Sequence, residues 1–269
     1  MPVELWQDLS TRDFVGIDVE ATVALLPLAA VEAHGAHLPL GTDAVINHGV
    51  VEAALARPLG EARVLRLPPL DVGDSLEHTA FAGTLSAGAE TLLALWLDVA
   101  AGVARAGVRK LVLFNSHGGQ TALAKLAALR MRDRHGLLVA RADYFAFGVP
   151  PGLFEADELA HGIHGGEVET SLMLHLRPDL VRREHLADFE GLPRRMARRG
   201  ALLGPERPVG FGWMSQDLHP DGVSGNAARA DAQRGAALLD HLADRLAQLL
   251  AEMAAIPLTI LRDTREPRG

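Results

Sequence analysis

Three short stretches of the chain hold side chains whose types and spacing could do chemistry together. The first runs Glu32-Ala33-His34-Gly35-Ala36-His37 and continues to Asp43. In extended chain, positions 32 and 34 project to the same side, so a carboxylate and an imidazole reach one small volume. Asp43 comes back after a turn through Pro39 and Gly41. Carboxylate with imidazole suits Zn²⁺, Mn²⁺ or Fe²⁺, and an aspartate can bridge two ions. The competing reading has Asp43 as the N-cap of a helix and the histidines bonded to loop carbonyls.

The second stretch is Asn115-Ser116-His117-Gly118-Gly119-Gln120, between an apolar run and a helical pattern. Such a turn sits where ligands bind in open α/β sheets, and its amides can hold an anion or a developing oxyanion. Three readings compete, the first being a metal ligand at His117 beside an oxyanion site at Gly118 and Gly119. A phosphate cradle lacks the P-loop lysine, and a serine-esterase oxyanion loop lacks its G-x-S-x-G elbow. The third stretch is His161-Gly162-Ile163-His164-Gly165-Gly166-Glu167-Val168-Glu169. His161 and His164 are placed at the opening of a helix. Two residues apart on that helix, Glu167 and Glu169 face different sides, so one points at a site and the other into solvent. Helix-start charges favouring the dipole are the alternative for both. Jointly the stretches supply about five ligands, the number a two-metal site needs if one aspartate bridges. A single ion on Glu32, His34 and His117 would use fewer.

These groups need a frame. Thr22–Leu28 and Lys110–Asn115 are continuous apolar runs with β-branched members, the pattern of strands covered on both faces. Arg63–Leu67 and Leu137–Tyr144 read as further strands. Helical spacing is expected over 44–56, 89–106, 121–134, 172–176 and about 232–254. Strands alternating with helices predict an α/β fold with a mainly parallel sheet and helices on both faces. One domain over residues 1–269 is expected. Within it, Gly191–Ser224, rich in Gly, Pro and Arg, is a functional lid or interface loop, and its Trp213 is either a substrate-stacking group or a buried anchor.

Composition removes whole classes of function. The 269 residues carry 26 Lys+Arg against 34 Asp+Glu, a net charge of −8, which argues against general nucleic-acid binding. There is no cysteine, hence no disulfide, thiolate metal site, iron–sulfur cluster or cysteine nucleophile. Lys110 and Lys125 are the only lysines, which leaves few Schiff-base candidates. No apolar run approaches the roughly 18 residues of a membrane span. A cytoplasmic protein without membrane partner is expected.

With these motifs in hand, the chain resembles the creatininase (creatinine amidohydrolase) family. The resemblance is carried by LPLAAVEAHGAHLPLGTD at 26–43, EHTAFAGTLSAG at 77–88, LVLFNSHGGQ at 111–120 and HGGEVETSLML at 164–174, in family order. It implies a three-layer α/β/α fold, a homohexamer, and two divalent ions (Zn, Mn or Fe) per chain at the strand ends. It further implies that Glu32 and His117 hold one ion and His34 the other, with Asp43 bridging. The family glutamate two positions beyond the metal histidine is Gly119 here, and Glu169 is the candidate to replace it. His164 matches the histidine that handles the proton at the scissile amide. His78 either faces the pocket or is a satisfied loop histidine. The implied activity is hydrolysis of a non-peptide or cyclic amide C–N bond in a small molecule by a metal-activated water. Departures at Gly118, Ala160 and His161 speak against creatinine itself. The alternatives are a mycofactocin-precursor-type peptidase or a cyclitol ring hydrolase on the same site, and a metal-stabilised binding or assembly subunit without catalysis.

Overall fold

Side-chain alternation along two strands decides the layering. In Thr22–Leu28, Val23 and Leu25 join one buried cluster, while Ala24, Leu26 and Leu28 join another. Lys110–Asn115 does the same, with Val112 and Phe114 against Leu111 and Leu113. Both strands are therefore apolar at nearly every position and lie in the middle of a covered sheet. Each of these fully buried large side chains contributes about 2 kcal/mol relative to exposure.

The computed structural model describes residues 4–206 and 208–262. Its main sheet holds Glu4–Leu5 (β1), Thr22–Leu28 (β2), Arg63–Arg66 (β3), Lys110–Asn115 (β4) and Leu138–Asp143 (β5), in the order β1-β3-β2-β4-β5. Every neighbouring pair is parallel. The helices are Thr42–Leu55 (α1), Ala89–Arg105 (α2), Thr121–His135 (α3), Ala156–His161 (α4), Glu167–Leu176 (α5), Leu192–Arg198 (α6), Ser215–Leu218 (α7) and Ala232–Ala255 (α8). Residues of α1, α5 and α8 fill the cluster on one face, and residues of α2 and α3 fill the other. The result is the expected three-layer α/β/α arrangement.

Topology then selects the site. The chain leaves β2 for β3 on one side and later returns to β4 on the other, so the switch point lies at the carboxyl ends of β2 and β4, where the register pairs Leu28 with Asn115. In open α/β sheets this is where ligands bind. Buried Asn47 of α1 holds the two tips in place, its amide donating to the carbonyls of Leu28 (2.9 Å) and Phe114 (3.1 Å). At the opposite end of β4, buried Lys110 donates from Nζ to the carbonyls of Ala254 (2.9 Å) and Ile256 (2.6 Å), satisfying the end of α8.

Two local expectations need correction. Asp43 is not a cap: Gly41 precedes α1, and Asp43 lies inside its first turn with its side chain turned to the sheet end. His161 and His164 do not open a helix: His161 ends α4, and α5 starts only at Glu167. The segment 191–224 carries α6, α7 and a two-strand pairing of Leu203–Gly204 (β7) with Val209–Gly210 (β8), after Asp188–Phe189 (β6) has paired with Gly225–Asn226 (β9). It is bonded to the site: Ser224 and His164 exchange backbone hydrogen bonds of 2.8 and 3.2 Å, and Ser215 Oγ donates to the Glu77 carbonyl at 3.0 Å. Trp213 is half-buried and donates its indole N–H to Glu206 within the same segment.

Candidate metal centre

All five side chains expected as metal ligands converge at the tips of β2 and β4. Beyond β2 the loop is closed by a hydrogen bond from Glu32 N to Leu40 O (2.9 Å), with Gly35 turning the chain at φ +72°. His34 donates from Nδ1 to the Glu32 carbonyl (3.1 Å), which leaves Nε2 facing Asp43 Oδ1 at 3.4 Å and Glu169 Oε2 at 3.9 Å. His117 donates from Nε2 to the Asp74 carbonyl (2.7 Å), which leaves Nδ1 facing Glu32 Oε2 at 3.1 Å and Asp43 Oδ2 at 3.3 Å. The two oxygens of Asp43 thus look toward different histidines. The ligand atoms fall into groups within 4.8 Å of one another: Glu32–Asp43–His117, His34–Asp43–Glu169 and Glu32–His34–His164.

The loop after β4 is held by a closed amide network. Asn115 donates to the His117 carbonyl and to Asp143, each at 2.7 Å, and its Oδ1 accepts from His117 N and Gln120 Nε2. Glu169 is fixed in the first turn of α5 by the Gly165 amide (2.6 Å) and the Tyr144 hydroxyl (3.4 Å). Gly165 sits at φ +62° with the β-carbon position only 2.8 Å from Val223, so glycine is required there. Glu167 points the other way, as expected, but not into solvent: it is fully buried and paired with Arg234 and, at 3.9 Å, Arg229.

His164 donates from Nε2 to the Ala33 carbonyl (2.8 Å), and its Nδ1 lies 3.7 Å from Glu32 Oε1. Its ring packs between those of His34 and His78, at 4.1 and 4.2 Å. His78 faces the cluster, with Nε2 3.5 Å from Glu32 Oε1. His37 stands apart, bonded to the Gly165 carbonyl and stacked on Phe189. Gly118 and Gly119 form an exposed turn beside His117.

Charge decides what this arrangement can hold. Carbonyls only accept, so the three bonds to carbonyl oxygens fix a proton on the outer nitrogen of His34, His117 and His164. The inner nitrogen of each neutral ring then aims a lone pair at carboxylate oxygen, which is repulsive unless a positive charge lies between. Glu32 Oε2, His34 Nε2 and Asp43 Oδ2 are buried without a hydrogen-bond partner among the described residues. Without metal, protons supply the charge. Burial pushes His34 down, but Asp43, then Glu169 and Glu32, outweigh it and raise it to about 10. Burial likewise opposes protonation of His117, yet Glu32 and Asp43 hold it well above its usual value. Burial would raise Glu32, and the surrounding imidazoles, His117 first, pull it below the ordinary carboxylate range. Burial, with the neighbouring His34 charge, depresses His164, and burial followed by His164 depresses His78. Buried carboxylates and imidazole nitrogens facing one another, short of positive charge, fit a divalent cation pair bridged by an aspartate.

The creatininase family profile, described as creatinine amidohydrolase, matches residues 7–250. This chain belongs to the creatininase family. Among curated members, the mycofactocin precursor peptide peptidase of Mycobacterium ulcerans is 31% identical over 238 residues, covering 87% of this chain and 86% of that protein. The creatinine amidohydrolase of Pseudomonas putida is 31% identical over 202 residues, covering 68% and 74%. A solved manganese form of creatininase superposes with a TM-score of 0.73 at 25% identity, covering 93% of this chain and 98% of that one. A zinc form of a creatininase mutant gives the same score and identity over 94% and 98%. This creatininase-family chain is accordingly a hydrolase with the family's fold.

Two site groups lay outside the expected set. Glu77, in the one-turn helix Leu76–His78, brings Oε1 to 3.7 Å from His117 Nε2. Burial raises its carboxyl above the usual value, against the pull of His117. Tyr144, the only tyrosine, is buried at the end of β5 against Glu169, and burial together with that acid pushes its phenol well up. Glu77 had one available signal, its place beside His78 in a segment shared with the family.

Proposed function

We propose that the chain is a binuclear-metal amidohydrolase that cleaves an amide C–N bond of a small, non-peptide or cyclic substrate. One ion would be held by Glu32, Asp43 and His117, the other by His34, Asp43 and Glu169. The observation that carries this is the position of Asp43, whose two oxygens face His117 and His34 separately at 3.3 and 3.4 Å. When bound, the ions supply Lewis-acid polarisation of the carbonyl and an acidified water. The bond to the Ala33 carbonyl keeps the His164 proton on Nε2, so its free Nδ1 takes the proton of the attacking water and returns it to the leaving nitrogen. His78 lines the same wall and orients substrate. The amides of Gly118 and Gly119, in the exposed turn, would donate to the tetrahedral oxyanion. Assembly as a homohexamer, implied by the family resemblance, belongs to this reading.

Peptide hydrolysis is the second reading, favoured by the 31% identity to a peptide peptidase across most of both chains. A cleft lined by His161, Ile163, Met196 and Leu203 lies between α4 and α6 and offers apolar surface to a peptide side chain. The deciding experiment strips the protein of metal, reloads it with Mn²⁺ or Zn²⁺, and follows products from formamides, lactams and short peptides. Metal-dependent turnover of formamides or lactams is expected. Turnover of peptides alone selects the second reading, and tight binding of no ion overturns both.

A further inference from the structure

We propose that Glu77 is a positioning residue for His117, holding the outer edge of its ring so that Nδ1 stays aimed at Glu32 and Asp43. The inference rests on the two-ion reading and deepens it. Glu77 comes from a loop distant in sequence, yet its carboxylate lies against the His117–Gly119 turn, with Oε1 3.7 Å from His117 Nε2 and the side chain only 16% exposed. That nitrogen carries the proton given to the Asp74 carbonyl. Carbonyl and carboxylate therefore flank one N–H, and the negative charge makes the ring a stronger donor at its opposite nitrogen.

The glycine at 119 bears this out sterically. Its backbone is not in the left-handed region, so conformation does not demand glycine. A β-carbon there would instead lie 2.1 Å from Glu77 Oε1 and 2.6 Å from His117 Nε2. Gly119 is the space the Glu77–His117 contact occupies. The loop that carries Glu77 is itself anchored: the Asp74 amide donates to Gln120 Oε1 at 3.4 Å, and Ser215 Oγ bonds the Glu77 carbonyl.

The test is calorimetric titration of the metal-free, full-length protein with Mn²⁺, comparing Glu77→Ala and Glu77→Gln with the unaltered chain. Glu77→Ala should weaken one of the two binding events by about 10- to 100-fold, the range for loss of a histidine's outer partner. Glu77→Gln keeps an accepting oxygen and should lose less, while the second event changes little in both. Wild-type affinity for both ions in Glu77→Ala would overturn the proposal, as would equal weakening of both events, which signals general loosening. If the unaltered protein binds no Mn²⁺, it is the two-ion reading that fails.

Discussion

The molecule contains two clusters of buried carboxylates, and they are balanced differently. At the tips of β2 and β4, Glu32 and Asp43 face imidazoles. Six residues before His164 and three after it, Glu158 and Glu167 face guanidinium groups, Arg194 at 3.5 Å for the first and Arg234 and Arg229 for the second. Glu158 also accepts from the amides of Glu167 (2.8 Å) and Asn226 (2.9 Å), tying the start of α5 to β9. An arginine charge is permanent, so the second cluster carries its counter-charge as folded. An imidazole charge is borrowed from solvent and can be surrendered to a metal. Buried acid alone therefore does not mark an active site; the exchangeability of its counter-charge does.

The largest effect that would break this contrast is at Asp43. Asp43→Ala should abolish both ion retention through gel filtration and hydrolysis, because both ions lose a ligand; retention of about two ions per chain would remove the bridge. His164→Ala should slow turnover by about 10²-fold or more with metal content unchanged, read by steady-state kinetics alongside metal analysis. Glu167→Gln should act oppositely, lowering stability by about 3 kcal/mol in denaturant unfolding while ion stoichiometry survives. Loss of metal without loss of stability in that variant would erase the distinction between the clusters.

Smaller effects concern protons. His34 is raised to about 10 in the metal-free fold, above its unfolded value near 6.5. Its stabilising contribution is therefore complete below pH 6.5 and is lost as pH climbs toward 10. Metal-free protein should melt progressively lower across that window, and loaded protein should not. Ion binding near pH 7 should release about two protons per chain, from His34 and His117, seen as buffer-dependent heats in calorimetry. His37, pushed down to about 4 by burial, has the opposite sign: its contribution is complete above pH 6.5 and fades as pH falls toward 4, with or without metal.

Much of the site was legible because it obeys local rules. The strand period places Glu32 and His34 together, and the apolar runs of β2 and β4 locate the sheet ends that carry them. Asp43 was legible as a ligand but equally as a cap, since an acid at a helix start satisfies both patterns; only the position of Gly41 separates them. Glu167 was misplaced because its partner Arg234 is 67 positions away, beyond any local pattern. Glu77 was missed for the same reason, its role being defined by space at Gly119 rather than by its neighbours. The two-residue strand β1 carries no period to detect.

Lys110 ends buried among helix-terminal carbonyls, whereas Lys125 lies exposed on α3. Since the sequence has no other lysine, an amine-directed dye or crosslinker should modify the folded chain's side chains at one address, on the sheet face opposite α8. Attachment to a surface or a fluorophore there would leave the hydrolytic end of the sheet untouched, and reactivity at the second amine would report unfolding.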